Sequence, residues 1–345
     1  MTTLYDIMKR LCYIASGLHY APFAGPSNHV ISGRVEVTLA FHGYREIPQL
    51  PVEKLDISLI GPGTPIPRLS KRADDCAIEG IDPKPYLRYL RRCQKFVRWK
   101  ADCFDVVVER MWRVGGIIGA GLKSRGMIYL LEENGPSSLP RQGVFIPDLL
   151  RLALHRVSQY YARYAYSRPH GIIVQTNEIK EMLQRRFSVE HSRIHVIPNG
   201  VDMRLFKPMD QDFCRGQLGL ERDAMIFLFA GSLDTYHDLL PCMQAMSRLD
   251  NPRIQLHVVG DGIFRNSMEQ EATRLIRGRC TFHGPVPHKR IPLWINAADI
   301  CIAPYRDAAF DEERFCFSPL KILEYMACGK VIISQPHEVI ARLVS

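Results

Sequence analysis

Short apolar runs alternate with helical patterns almost throughout this chain, and that alternation restricts the fold more than any other feature. Strand-length runs fall near residues 11–15, 105–108, 127–131, 171–174 and 194–197, with a long helix over about residues 147–166. Five more runs, near residues 226–230, 253–259, 280–282, 300–303 and 331–334, alternate with four helices. This is the pattern of doubly wound α/β domains, in which each strand is buried and each helix covers a face of a parallel sheet. At 345 residues the chain exceeds one ordinary core and suits two. The expected architecture is therefore α/β, with two Rossmann-like domains over residues 1–200 and 201–345, joined near residues 198–224. Ligands of such sheets bind beyond the C-terminal ends of the strands, so the site is expected in the cleft between the domains. Residues 41–85 carry no assignable element, because Pro48, Pro51, Pro62, Pro65, Pro67, Pro83 and Pro85 break any long one.

A content of 46% hydrophobic and 23% charged residues is that of a soluble globular protein. No apolar run reaches the roughly 18 residues of a membrane span, and the N-terminus lacks the pattern of a secretion signal, so a cytoplasmic location is expected. The ten cysteines show neither a Cys-x-x-Cys pair nor zinc spacing. They are expected to be buried thiols, with no metal site. The net charge of +9 is carried by the first half: residues 1–200 hold 28 Lys and Arg against 18 Asp and Glu, and the remainder hold 17 against 18. Such asymmetry suggests that the first domain meets an anionic membrane surface or a lipid-linked phosphate. Nucleic acid is a rival partner, but no aromatic-basic recognition motif or zinc module accompanies the charge. From Lys84 to Lys100 there are seven basic residues and no acidic one, with Tyr86, Leu90, Cys93 and Val97 at helical spacing. That segment suits either an interfacial helix on an anionic membrane or a domain helix with a solvated basic face.

The stretch from Ser318 to Ile332 carries the clearest chemistry. Pro319 fits a first helical turn and Gly329 a C-terminal stop, so the N–H groups at Ser318, Leu320 and beyond are expected to be free to hold a phosphate. Lys321 adds a full positive charge there. Glu324 follows three residues later on the same face, placed to accept hydroxyls of a ligand whose phosphate sits at the helix start. A nucleotide diphosphate sugar has that shape. An ordinary surface helix with an (i, i+3) Lys–Glu pair has the same spacing.

Further segments stand around this helix in a fixed order. They are Val196-Ile197-Pro198-Asn199-Gly200-Val201-Asp202, Phe229-Ala230-Gly231-Ser232 with Tyr236-His237-Asp238, Val258-Val259-Gly260-Asp261-Gly262, Phe282-His283-Gly284-Pro285-Val286-Pro287 and Ala297-Ala298-Asp299. Over roughly residues 170–335 this series resembles the retaining glycosyltransferases of the GT-B fold, the large family-four group, in a variant with a Ser-Pro-Leu-Lys-x-x-Glu helix. A looser likeness to bacterial members runs through Asp105 to Arg110 and Leu131 to Pro136. The resemblance implies transfer of a sugar from a nucleotide diphosphate donor to a glycan or lipid-linked acceptor, with retention and no cofactor or required metal. It implies Lys321 as a catalytic group on the diphosphate, Glu324 on the ribose, the backbone of Val286 beside the base, and Gly231, Ser232 and Gly260 in the donor loops. His237, from its own chemistry, is read either as a catalytic group donating a hydrogen bond to the donor or as a solvated loop histidine. Gly25, after the first strand, is expected to approach the phosphates from the other domain.

Three departures qualify that expectation. The family usually has a second glutamate eight residues before the position of Glu324, and here that residue is Cys316. Many members also carry a Lys or Arg in the donor loop where this chain has Tyr236-His237-Asp238, so Lys321 is expected to supply the charge. The family also continues past residues 331–334, so the second domain is expected to be incomplete, with an exposed sheet edge. A catalytically inactive nucleotide-sugar-binding or scaffold protein is therefore the alternative reading. Asp210-Gln211-Asp212 matches a metal-binding D-x-D pattern of another glycosyltransferase fold and is read as a solvated acidic turn. Glu132, Glu133 and Asn134 are open to either an acceptor-facing or a structural role. Gly115, Gly116, Gly119, Gly121 and Gly126 lack phosphate-loop spacing and are read as helix packing.

Overall fold

The computed structural model describes residues 10–14, 56–60, 106–111, 116, 126–135, 148–234, 236–306 and 318–344. The chain divides into two units, Met1–Pro198 and Asn199–Ser345.

The first unit holds a parallel sheet of β1 (Arg10–Ile14), β2 (Asp56–Ile60), β3 (Val106–Arg110), β4 (Ile128–Glu133), β5 (Gly171–Val174) and β6 (Ile194–Val196), in the order β2-β1-β3-β4-β5-β6. Strand β2 lies in the proline-interrupted region without an assigned element, and pairs in register with β1, Arg10 opposite Asp56 and Ile14 opposite Ile60. Helix α1 (Asp148–Ser167) leads into β5, and α2 (Asn177–Phe187) follows it. The Thr176 side chain accepts from Ile179 N–H at 3.3 Å to start α2, and Ser188 in the left-handed region (φ 54°) ends it. Strand centres such as Val107, Val108, Leu131 and Ile172 are fully buried.

The carboxylates at the strand ends of this unit have structural partners. Glu109 accepts from Gly116 N–H at 2.7 Å and from the Tyr129 hydroxyl at 2.9 Å, and Glu133 from the Tyr166 hydroxyl at 2.6 Å. Both glutamates are buried, as is Glu132. Glu132 and Glu133 lie within β4 rather than after it, so their oxygens bind neighbouring elements, as buried charge requires. Gly116 and Gly126 also correct the helix-packing expectation. They have φ of +85° and +78° and are not helical. A Cβ on Gly116 would lie 2.8 Å from that of Ala165. Glycine is thus needed there for close approach of a turn; Gly115, Gly119 and Gly121 lie outside the described residues.

The second unit holds β7 (Met225–Ala230), β8 (Ile254–Val259), β9 (Cys280–Gly284), β10 (Ile300–Ala303) and β11 (Val331–Ser334), all parallel, in the order β11-β10-β7-β8-β9. Its helices are α3 (Gln211–Leu218), α4 (Leu240–Ser247), α5 (Arg265–Leu275), α6 (Ile291–Ala297), α7 (Leu320–Ala327) and α8 (Glu338–Val344). One core cluster joins Leu228, Trp294, Ile295, Ile322 and Tyr325, and a second joins Phe229, Leu239, Met243, Leu256 and Val258. Asp299 fastens the base of β7, accepting from Ile226 N–H at 2.7 Å while paired with the buried Arg215 at 2.7 Å. On the edge strand β11, Val331 and Ile333 are exposed.

Strand order decides where this unit can bind. The chain runs outward from β7 through β8 to β9, then returns to place β10 on the other side of β7 and β11 beyond it. The order reverses between β7 and β10. Loops leaving their C-terminal ends turn to opposite faces of the sheet and leave a crevice there.

Candidate functional site

At the C-terminal end of β7, the described residues that follow, 231–234 and 236–238, are stapled to those that leave β10. Asp238 N–H donates to Pro304 O at 3.1 Å, Arg306 N–H to Tyr236 O at 3.0 Å, and His237 forms an isolated antiparallel bridge with Tyr305. Helix α7 closes the third side. Ile322, Tyr325 and Cys328 recur at helical spacing and are buried on its inner face. Ala230 N–H donates to the Tyr325 hydroxyl at 3.0 Å, which fixes α7 against the end of β7. Lys321 and Glu324 flank that anchored face.

The Lys321 residue is partly exposed, but its ammonium is packed among protein groups. Nζ lies 2.7 Å from His237 Nε2, 4.3 Å from the centre of the Phe229 ring and 5.6 Å from that of Tyr305. An ammonium has three protons to donate. Among the described residues, His237 is its one hydrogen-bond acceptor. Burial lowers its pKa to about 7, despite the opposing pull of Asp234 and Glu324.

His237 is itself oriented from behind. Its Nδ1 lies 2.9 Å from Asp234 Oδ1, so Nδ1–H donates to the carboxylate and the Nε2 lone pair is left to accept from Lys321. Burial, then the Lys321 charge, lowers the imidazole pKa and favours this neutral form. Asp234, against the upward push of burial, is held below the usual carboxylate range by hydrogen bonds from His237, Ser232 and Tyr236 N–H. Ser232 Oγ donates to Asp234 Oδ2 at 2.6 Å. Asp234 and His237 are three residues apart in a loop, a spacing with no periodic signature.

The glycines make this assembly possible. A Cβ on Gly231 would sit 2.8 Å from Lys321 Nζ. The space expected to admit phosphates at Gly231 is therefore occupied by the lysine. Gly260, at φ +138°, has no room for a Cβ, which would fall 1.8 Å from Gly231 O. Its own N–H donates to Gly284 O at 2.9 Å.

The start of α7 differs from the sequence expectation. Pro319 takes the capping position rather than the first turn, with φ −82° and ψ 81°. Leu320 N–H donates to Ser318 O at 3.0 Å and Ile322 N–H to Pro319 O at 3.0 Å. The tightened turn thus uses two of the donors expected to be free, because Pro319 pulls the preceding carbonyl over the helix end. Lys321 N–H has no backbone partner among the described residues. Most of the positive charge at this end is therefore the ammonium, not the helix terminus.

Glu324 Oε1 lies 3.2 Å from His288 Nε2, and both side chains are largely buried. His288 opens the short turn His288–Arg290 that follows Pro285-Val286-Pro287, and Val286 packs on the same core as α7. Neither Asp234 nor His288 was marked as a site residue by the sequence. Gly25, Cys316 and the basic segment from Lys84 to Lys100 lie outside the described residues. Asp210 caps α3, accepting from Phe213 N–H at 2.7 Å, and the Gln211 amide donates to Ala298 O at 3.0 Å. Among the described residues there is no group of three or more metal-ligating side chains, and no helix long and apolar enough to cross a membrane.

Residues 35–205 match the model for Glycosyltransferase Family 4, and residues 224–345 that for Glycosyl transferases group 1. The D-inositol 3-phosphate glycosyltransferase of Xylanimonas cellulosilytica is 29% identical over 175 residues, which are 48% of this chain and 40% of that protein. Sucrose-phosphate synthase of Thermosynechococcus elongatus superposes with a TM-score of 0.65 at 18% identity, over 94% of this chain and 81% of that one. HepE of Anabaena, solved with UDP and glucose, gives 0.62 at 16% identity, over 98% and 83%. This chain belongs to the glycosyltransferases of GT-B fold. Its match spans less than half the length of the Xylanimonas relative.

Proposed function

We propose that this chain transfers a hexose-like sugar from a nucleoside diphosphate sugar to a glycan or lipid-linked acceptor, with retention of configuration. The observation that carries the reading is the Lys321 ammonium packed at the reversal of strand order, with His237 as its one acceptor among the described residues. As the glycosidic bond breaks, negative charge grows on the departing diphosphate, and a preorganised cation in a water-poor site lowers that barrier. Lys321 is assigned to the diphosphate, a role that needs no metal from the chain's own residues. His237 orients the ammonium and donor side, Glu324 accepts from the ribose hydroxyls, and Val286 borders the base. Gly231 and Gly260 allow the loop to close on Lys321 rather than on the phosphates directly, while Ser232 braces Asp234. UDP in the HepE structure and the phosphorylated acceptor named for the Xylanimonas relative support a nucleotide donor and a polar acceptor. A cytoplasmic seat on an anionic membrane through Lys84 to Lys100 completes the proposal.

Calorimetric titration of UDP, GDP, ADP and their sugars, with Glu324→Ala as control, tests it. Selective binding that the variant loses, together with donor turnover, supports transfer. Binding without turnover of any donor supports the inactive, nucleotide-sugar-binding alternative. A folded chain that binds none of them refutes the donor site.

A further inference from the structure

The His288–Glu324 contact joins the two parts of the proposed donor site that the chain separates by 36 positions. His288 stands where the loop bordering the base becomes the turn His288–Arg290, which Arg290 N–H closes on Pro287 O at 2.8 Å. Its ring is fixed by an edge contact with the fully buried Phe206, centroids 5.3 Å apart at 60°. Glu324 stands on α7, which Ile322 and Tyr325 anchor in the core. The imidazole thus packs on the core at the end of the base-bordering loop and meets the Glu324 carboxylate from there. Glu324 Oε1 is held, whereas Oε2 has no hydrogen-bond partner among the described residues.

We propose that His288 is a positioning residue for nucleotide recognition: it holds Glu324 Oε1 and so presets Oε2 to accept from the ribose hydroxyls of a nucleoside diphosphate. The inference rests on the donor-site reading above and adds to it the residue that orders the ribose acceptor. A free glutamate on a helix surface samples several rotamers, and each must be given up when a ligand binds. A carboxylate already held on one oxygen loses less on binding.

The experiment compares the full-length wild type with His288→Phe, which keeps a ring against Phe206 but has no donor, and with His288→Gln, which keeps an N–H donor. UDP, GDP and ADP are first titrated into the wild type. The one that binds is then compared with its 2′,3′-dideoxy counterpart in all three proteins. The expected result is a loss of about fivefold in affinity for the natural nucleotide in His288→Phe, the size of one hydrogen bond, with no loss for the dideoxy form and recovery in His288→Gln. Equal losses for both ligands would show that the ring only supports packing and would overturn the inference. So would unchanged affinity in His288→Phe. Wild-type protein that binds no nucleoside diphosphate overturns the donor-site reading first and removes this inference with it.

Discussion

Lys321 Nζ and His237 Nε2 are 2.7 Å apart, on α7 and the loop after β7, and a neutral imidazole is the acceptor that the ammonium has among the described residues. With a pKa of about 7, Lys321 is poised between charged and neutral forms near physiological pH, facing Asp234, His237, Glu324 and Tyr305. The folded pKa lies below the ordinary lysine value, so between pH 7 and about 10.4 the unfolded chain holds the extra proton and stability rises with pH. Nucleotide binding works in the opposite direction, because a diphosphate favours the ammonium. Affinity for the bound nucleoside diphosphate should fall between pH 7 and 9, with proton uptake seen as a buffer-dependent binding heat. Lys321→Met should bind at least tenfold more weakly at pH 7 and show no such slope. A flat profile in the wild type would contradict this role for Lys321.

Asp234 acts on the same lysine through His237, since its carboxylate accepts from Nδ1–H and so fixes Nε2 as acceptor. In Asp234→Asn the amide can donate to Nδ1 and favour the other tautomer, which would point an N–H at the ammonium. Nucleotide affinity should drop by roughly fivefold to tenfold, and the pH midpoint set by Lys321 should move down. The pH profile discriminates here. A variant that loses affinity but keeps the wild-type midpoint would mean that Asp234 only supports the loop.

Gly231 and Gly260 separate a binding effect from a folding effect. At Gly231 an added Cβ meets the end of the Lys321 side chain at 2.8 Å, and a flexible side chain can retreat. At Gly260 it meets Gly231 O at 1.8 Å, and backbone cannot. Gly260→Ala should therefore cost on the order of 3 kcal/mol of stability, read as a lowered denaturation midpoint. Gly231→Ala should cost less stability, yet weaken nucleotide binding by displacing the ammonium.

Much of this fold is visible in the sequence where elements are apolar and locally bounded. Residues 300–303 and 331–334 are strands as expected, the first preceded by Asp299 and the second by Gly329 and Lys330. Residues 56–60 are a strand that the surrounding prolines concealed, because its order comes from pairing with β1 rather than from local pattern. In the site, Lys321, Glu324 and His237 stood out as charged or titratable groups beside recognisable turns. Asp234 and His288 did not, since each matters through a side chain that tertiary folding brings to it. The start of α7 shows the reverse limit. Its sequence advertises free N–H groups, and a tight turn at Pro319 uses two of them.

Asp210 gives a last test, between metal binding and helix capping. The pattern Asp210-Gln211-Asp212 invites a metal, but Asp210 accepts from Phe213 N–H at 2.7 Å as the cap of α3, and Asp212 lies in the first turn, where negative charge suits the helix dipole. Loss of such a cap costs about 1 kcal/mol. Asp210→Ala should lower the unfolding midpoint by a few degrees while leaving nucleotide affinity unchanged, because α3 fastens to the base of the sheet through Gln211 and Arg215, far along β7 from its C-terminal loop. Asp212→Ala should do less, as its charge is exposed and merely assists the dipole. If instead either substitution removed a divalent-cation dependence of turnover without altering stability, the pair would be a metal site and the capping account would be wrong.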